Sequence, residues 1–224
     1  MFEYKLTRAS RISIALYIRD GFFEVRAPFY YSKKDIDEFV RSKEKWMAEK
    51  LAESKKRIVA RESFSLTYGS EITYRGNLYT IAEIQGGKSG FHGTFFYIQP
   101  GLSPEQIKRY CINFYKTRAE TYLRKRACDY IERMAVLPAD IKINNARARW
   151  GSCSAKKSVN FAWRLIMADD DAIDYIIVHE LAHLIEYSHS ARFWAVVESY
   201  IPDYKERQAR LRALEHKLGT EDWD

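Results

Sequence analysis

Disulfide chemistry is the first thing this sequence lacks material for. Its 224 residues hold three cysteines, at 111, 128 and 153, widely spaced and with no Cys-x-x-Cys pair. That pattern excludes a disulfide framework and a cysteine-based zinc ribbon. Cys153 sits in the stretch WGSCS with no base beside it, so a small buried thiol is expected there, not a nucleophile. Also missing is any apolar run near the ~20 residues that a bilayer crossing needs. The opening stretch MFEYKLTRASRISIALYIRD carries charge throughout, without the apolar block and small-residue cleavage site of a secretory signal. The expectation is a soluble cytoplasmic protein with no membrane partner. Internal repeats and low-complexity tracts are absent as well.

What is present is enough for a sizeable core. Hydrophobic residues make up 46% of the chain and charged residues 30%, with a formal net charge of +7. A basic balance favours anionic partners such as nucleic acid or nucleotides, although lysines also serve as solvated helix faces.

The first quarter alternates like a hairpin. RISIALYIRD and GFFEVRAP meet at Asp20-Gly21, a two-residue turn signal. One helix is expected next, from a Ser32 cap, with Ile36, Phe39, Val40, Trp46, Met47 and Leu51 at helical spacing. Residues 64–98 are strand-rich, punctuated by Gly69, Gly76 and Gly86-Gly87. Ser103-Pro104-Glu105-Gln106 then opens a long helix, with Ser as cap, Pro in the first turn and Gln three residues on. The sequence thus divides into a β-rich N-terminal region over 1–100 and a second domain over 101–224. In the second, IKINNARARWGSCS and SVNFAWRLI read as two antiparallel strands with a turn at 155–157. Helices follow at roughly 170–186, 190–200 and 203–217, which makes the fold class α+β.

The chemistry is concentrated in DYIIVHELAHLIEYSHS, where three of the chain's five histidines fall within eleven positions. His179 and His183 are four apart, about 400° of rotation and ~6 Å of rise on a helix, so both rings project from nearly one face. Such a pair can bind one Zn²⁺ in adjacent positions. Glu180 is offset by ~100° and can lean over the open position to take a proton from water. This is the His-Glu-x-x-His arrangement of zinc hydrolases. A third ligand must come from beyond the helix. On a continuing helix His189 would lie out of reach, so the chain must end the helix near Glu186 or Tyr187 and fold back. Ser190 can cap the following helix, which supports a break there. Glu198 on that helix is the rival ligand. Phe193 and Trp194 are expected to pack against the histidine helix.

RARWGSCS, WRLI, IDYIIVHELAHLIEYSHSARFW and PDYKERQARL together resemble the YgjP-like family of metal-dependent hydrolases, related in metal site to SprT-like and WLM-type zincins. The likeness extends to the N-terminal hairpin and the FVRSKEKWMAEKL helix. It implies a zincin-like second domain, a zinc metallopeptidase activity, His179, His183 and His189 as zinc ligands and Glu180 as catalytic base. This chain departs from the family pattern at Ser188, which replaces a common Asn, at Ala162, which does the same before WRLI, and at Asp169-Asp170, where proline is frequent.

Arg147, Arg149 and Arg164 bracket WGSC and NFAW. Alternation would place Arg147 and Arg149 on one strand face, with Arg164 after the partner strand, where guanidinium groups can hold an oxyanion, a phosphate or a carboxylate. A solvated strand edge is the competing reading. The expected activity is peptide hydrolysis, with an edge strand over 158–162 aligning an extended substrate. The alternatives are a nucleoside triphosphate substrate and a nucleic-acid module with a closed structural metal.

Overall fold

The computed structural model describes residues 2–19 and 21–224 and divides into two compact units. The first comprises residues 1–64 with a short C-terminal piece; the second comprises 65–217 with Trp223.

In the first unit, β1 (Tyr4–Arg8), β2 (Ala15–Arg19) and β3 (Phe22–Ala27) form a sheet in the order β1-β3-β2. The expected hairpin is β2 against β3, antiparallel; β1 adds in parallel on the other side of β3. Asp20 of the expected turn lies outside the described residues, while Gly21 takes the positive φ of 80° that such a turn requires. Phe23, Val25 and Ala27 alternate inward from β3 and pack with Ile36, Val40 and Met47. These helical residues come from two helices, α1 (Lys33–Ser42) and α2 (Glu44–Glu62), where the sequence suggested one. Lys43 leaves the helical region at φ −107°, ψ 7°, and its N–H closes α1 on Val40 and Arg41. The break lets α1 and the start of α2 both bury apolar residues in one cluster, and it leaves Trp46 37% exposed. Ser32 caps α1 as expected, in a reciprocal box with Asp35.

The second unit begins with β4 (Glu71–Tyr74), β5 (Asn77–Glu83), β6 (Gly90–His92) and β7 (Phe95–Ile98), in the order β4-β5-β7-β6. Residue 100, where strand-rich sequence gives way to helix, lies inside this unit. Helix α3 (Pro104–Met134) starts on the Ser103–Gln106 capping box. One stripe of it is buried, including Ile107, Cys111, Tyr115, Ala119, Leu123 and Ala127.

The second sheet corrects an expectation. β8 (Asp140–Asn144), β9 (Gly151–Cys153) and β10 (Ser158–Ala162) are ordered β8-β10-β9, so the sheet is mixed, not antiparallel. IKINNARARWGSCS is not one strand, because the Asn144 side chain accepts the Ala146 N–H at 3.0 Å and turns the backbone out of extension. The chain then crosses over, so β8 runs parallel to β10 while β9 pairs with it antiparallel. A 3₁₀ helix (Trp163–Met167) leads into α4 (Asp170–Ala182), followed by α5 (Ala191–Tyr200) and α6 (Tyr204–Leu218).

Helix α4 is buried from Ala172 to Val178 without interruption. Its polar residues are fastened in turn. Asp169 caps it by accepting the Ala172 N–H at 2.9 Å. Asp170 accepts from Arg75 and, at 2.8 Å, from the Tyr122 hydroxyl. Asp174 accepts from Arg126 at 2.5 and 2.9 Å and from Tyr130 at 2.9 Å. The β4–β5 turn docks here as well: Arg75 and Gly76 donate N–H groups to the carbonyls of Ile166 and Met167. Gly76, at φ 75°, passes so close that a Cβ would stand 2.7 Å from Asp169 Cβ. Among the described residues no helix is long and apolar enough to cross a membrane.

Candidate metal centre

His179 lies on the last turn of α4 and His183 is its C-cap, one turn on; both are half-buried, with ring centroids 5.2 Å apart. The helix stops at Ala182, a turn earlier than expected, and the N–H groups of Leu184, Ile185 and Glu186 tighten onto Leu181 and Ala182. No Gly or Pro makes the reversal. The Glu186 carboxylate does, by accepting the Ser188 hydroxyl at 2.8 Å and the Ser188 N–H at 3.3 Å. Ser190 then caps α5 by accepting the Phe193 N–H. The return swings His189 back until its Nε2 is 3.1 Å from Nε2 of His179.

Together the three rings offer nitrogens that all lie within 4.8 Å of one another. Glu198, the rival, is exposed and is not part of the cluster. Phe193 is fully buried behind the rings, with its centroid 4.5 to 4.9 Å from all three, and Trp194 stacks on His189. An apolar back wall of this kind holds the imidazoles without competing for their nitrogens.

The donor chemistry suits a metal ion. Nδ1 of His183 sits 3.0 Å from the Tyr187 carbonyl, which can only accept, so that nitrogen carries the proton and Nε2 keeps its lone pair. Burial, reinforced by His183 and His189, lowers the His179 pKa to about 4, which leaves its ring neutral at pH 7. Burial also lowers that of His183, with His189 adding to it. The Nε2 atoms of His179 and His189 face each other at 3.1 Å, near enough to share one cation. Nδ1 of His179 is buried with no hydrogen-bond partner, so its tautomer is not held from behind as that of His183 is.

Glu180 is 6% exposed and faces β9. Burial pushes its pKa up to about 7, with Arg149 pulling the other way. Gly151 forms its seat: a Cβ at that position would lie 2.6 Å from Glu180 Cγ and 2.8 Å from Oε1. Sequence reading passed over Gly151, yet a glycine inside a strand pattern signals a close approach. Cys153 is half-buried, and burial together with Glu180 raises its pKa, against any nucleophilic role. Cys111 is buried, with its thiol pushed up to about 12.

The arginines separate. Arg147 and Arg149 lie in the loop 145–150 and not on a strand, so they share no strand face. Arg149 borders a cleft of about 310 Å³ beside His179 and Glu180. Arg164 does not reach it: the 3₁₀ helix buries that side chain, which stacks on Trp163 and donates to the carbonyls of Trp223 at 2.8 Å and Asn145 at 3.4 Å. The far side of the cleft is α6, which supplies Gln208, Arg212 and Glu215. Gln208 falls within PDYKERQARL, but no motif in the sequence singled out Arg212 or Glu215. The strand over 158–162 is not an edge either, since β10 is central and β9 is the edge beside α4.

A family model described as "YgjP-like, metallopeptidase domain" matches residues 12–214. Two solved structures resemble part of the chain. The crystal structure of the metallopeptidase zymogen of Pyrococcus abyssi abylysin is 22% identical, covering 41% of this chain and 92% of its own, with a TM-score of 0.38. That of Methanocaldococcus jannaschii jannalysin is 18% identical, covering 41% of this chain and 94% of its own, also at 0.38. No curated protein matches.

Proposed function

Since the chain belongs to the YgjP-like metallopeptidase family, we propose that it is a zinc-dependent peptidase in which His179, His183 and His189 hold the ion and Glu180 is the general base. The observation that carries this reading is the convergence of three imidazole nitrogens beside a buried carboxylate. Three nitrogen donors leave a tetrahedral position open, as catalytic zinc sites do, whereas the closed site of a structural module takes four. When bound, zinc supplies Lewis-acid chemistry, acidifying a water toward pKa ~7 and polarising a carbonyl.

The rest is the work of the chain. Glu180, seated on Gly151, accepts the proton of the attacking water and delivers it to the leaving amine. A carboxyl group whose pKa burial has raised both accepts and returns a proton near neutral pH. Strand β9 aligns the substrate in place of the strand over 158–162. The pairs 150–162 and 154–158 exchange hydrogen bonds with β10, so alternation turns the N–H and C=O groups of Gly151 and Cys153 outward. An extended peptide can pair there, next to Glu180.

The test is mass spectrometry of a peptide mixture incubated with the zinc-loaded chain. Cleavage by wild type, and its loss by about 10²- to 10⁴-fold in a zinc-retaining Glu180→Gln variant, is expected. Equal cleavage by both proteins would remove Glu180 from the mechanism.

A further inference from the structure

The cleft beside the histidines carries charge that hydrolysis itself does not use. Four arginines of this unit are committed to acids: Arg75 to Asp170, Arg126 to Asp174, Arg207 to Asp203 and Arg210 to Asp171. Among the described residues, Arg149 and Arg212 form no ion pair and no hydrogen bond, although both border the cleft and Glu215 lies one turn from Arg212. They approach from opposite walls, Arg149 from the loop before β9 and Arg212 from α6. Tyr175, Ile176 and Leu211 contribute buried side chains to the same cleft, beside the polar Glu180, Gln208 and Glu215.

Buried apolar side chains beside two unpaired guanidinium groups suit a short stem ending in an anion. A volume of about 310 Å³ admits one or two residues. Guanidinium forks match carboxylates in geometry as well as charge. We propose that Arg149 and Arg212 form an anion subsite that holds a carboxylate of the peptide substrate beside the bond to be cleaved. The carboxylate belongs either to an acidic side chain or to the peptide's C-terminus. The proposal rests on the peptidase reading above and adds to it a preference for acidic or C-terminal residues next to the cut.

The test separates the two. Nuclear magnetic resonance of the arginine Nε–H groups in zinc-loaded Glu180→Gln protein reads binding without turnover. The probes are N-acetyl-glutamate α-amide, which has only a side-chain carboxylate, N-acetyl-glutamine, which has only an α-carboxylate, and N-acetyl-glutamine α-amide, which has neither. At least one acid should bind about tenfold or more tighter than the neutral probe. Arg149→Gln and Arg212→Gln, each introduced separately, should bring that ratio toward one. The better acid identifies the source of the carboxylate. Equal binding of all three probes, or a ratio that survives both substitutions, overturns the subsite. So does a nucleoside triphosphate that shifts the two arginine signals while neither acid exceeds the neutral probe. Peptide cleavage by wild type is measured alongside: its absence with the acid preference intact sinks the peptidase reading alone, and its presence without that preference sinks the subsite alone.

Discussion

The two ends of α4 treat their polar side chains differently. In the first half every acidic side chain is matched: Asp169 by a backbone N–H, Asp170 by Arg75 and Tyr122, Asp171 by Arg210, and Asp174 by Arg126 and Tyr130. In the second half His179 faces His189, which returns from beyond the helix, and Glu180 rests against a glycine. Burying polar groups without partners costs free energy, so folds normally satisfy them. A helix that matches its acids at one end and carries the candidate metal ligands at the other has a fastened end and a candidate working end. Its first half holds the element in place against α3 and the β4–β5 turn, so that the second half can keep its nitrogens free.

That division is open to experiment, starting where the effect should be greatest. Asp174→Ala removes the acceptor shared by Arg126 and Tyr130, and breaking such a buried pair should cost about 3 kcal/mol of stability. A denaturant titration reads this, and the folded variant should still bind metal as wild type does. A loss of metal with stability intact would blur the two halves into one. Gly151→Ala acts on the other half. The added methyl has no room beside Glu180, so the carboxylate must shift, and displacing a reacting group by about 1 Å costs on the order of 10²-fold in rate. The loss should fall on kcat and not KM, with metal content unchanged. Wild-type turnover in this variant would show that Glu180 needs no such seat.

The smallest effect concerns acid. The Arg75 hydrogen bond, helped by Tyr122, lowers the Asp170 pKa below 3.8. The folded value lies beneath the unfolded one, so this contribution is full above pH 3.8 and is lost as pH falls through the folded pKa. Because the pair is partly exposed, it amounts to at most about 1 kcal/mol. Asp170→Asn should therefore lower stability slightly at neutral pH and by progressively less as acid is added. A variant whose acid unfolding curve runs parallel to that of wild type would exclude this pair as a pH-dependent fastening.

The sequence and the structure agree best where local periodicity decides the outcome. The His-Glu-x-x-His spacing is legible because a helix puts positions four apart on one face, and a chain reversal before Ser190 is expected, with His189 and Glu198 as rival third ligands. The caps at Ser32 and Ser103 are equally local. What sequence reading missed depends on partners distant in the chain. The direction of β8 and the central place of β10 are set by a crossover, and Asn144 ended the strand that would have carried Arg147 and Arg149. Arg164 turned inward because backbone carbonyls of Asn145 and Trp223 awaited it. The reversal after α4 relies on a Glu186 side chain where glycine or proline would have been readable. Arg212 reaches the cleft from a position that no motif covers.

The claim that the far end of α4 is a metal centre is tested most directly by the metal-to-chain ratio of the purified, zinc-equilibrated protein, measured by elemental analysis. One zinc per chain is expected in wild type and in Glu180→Gln. None is expected in His179→Ala or His183→Ala, with binding severely weakened in His189→Ala. A wild type that holds no metal, or a His183→Ala variant that retains a full equivalent, would contradict the account.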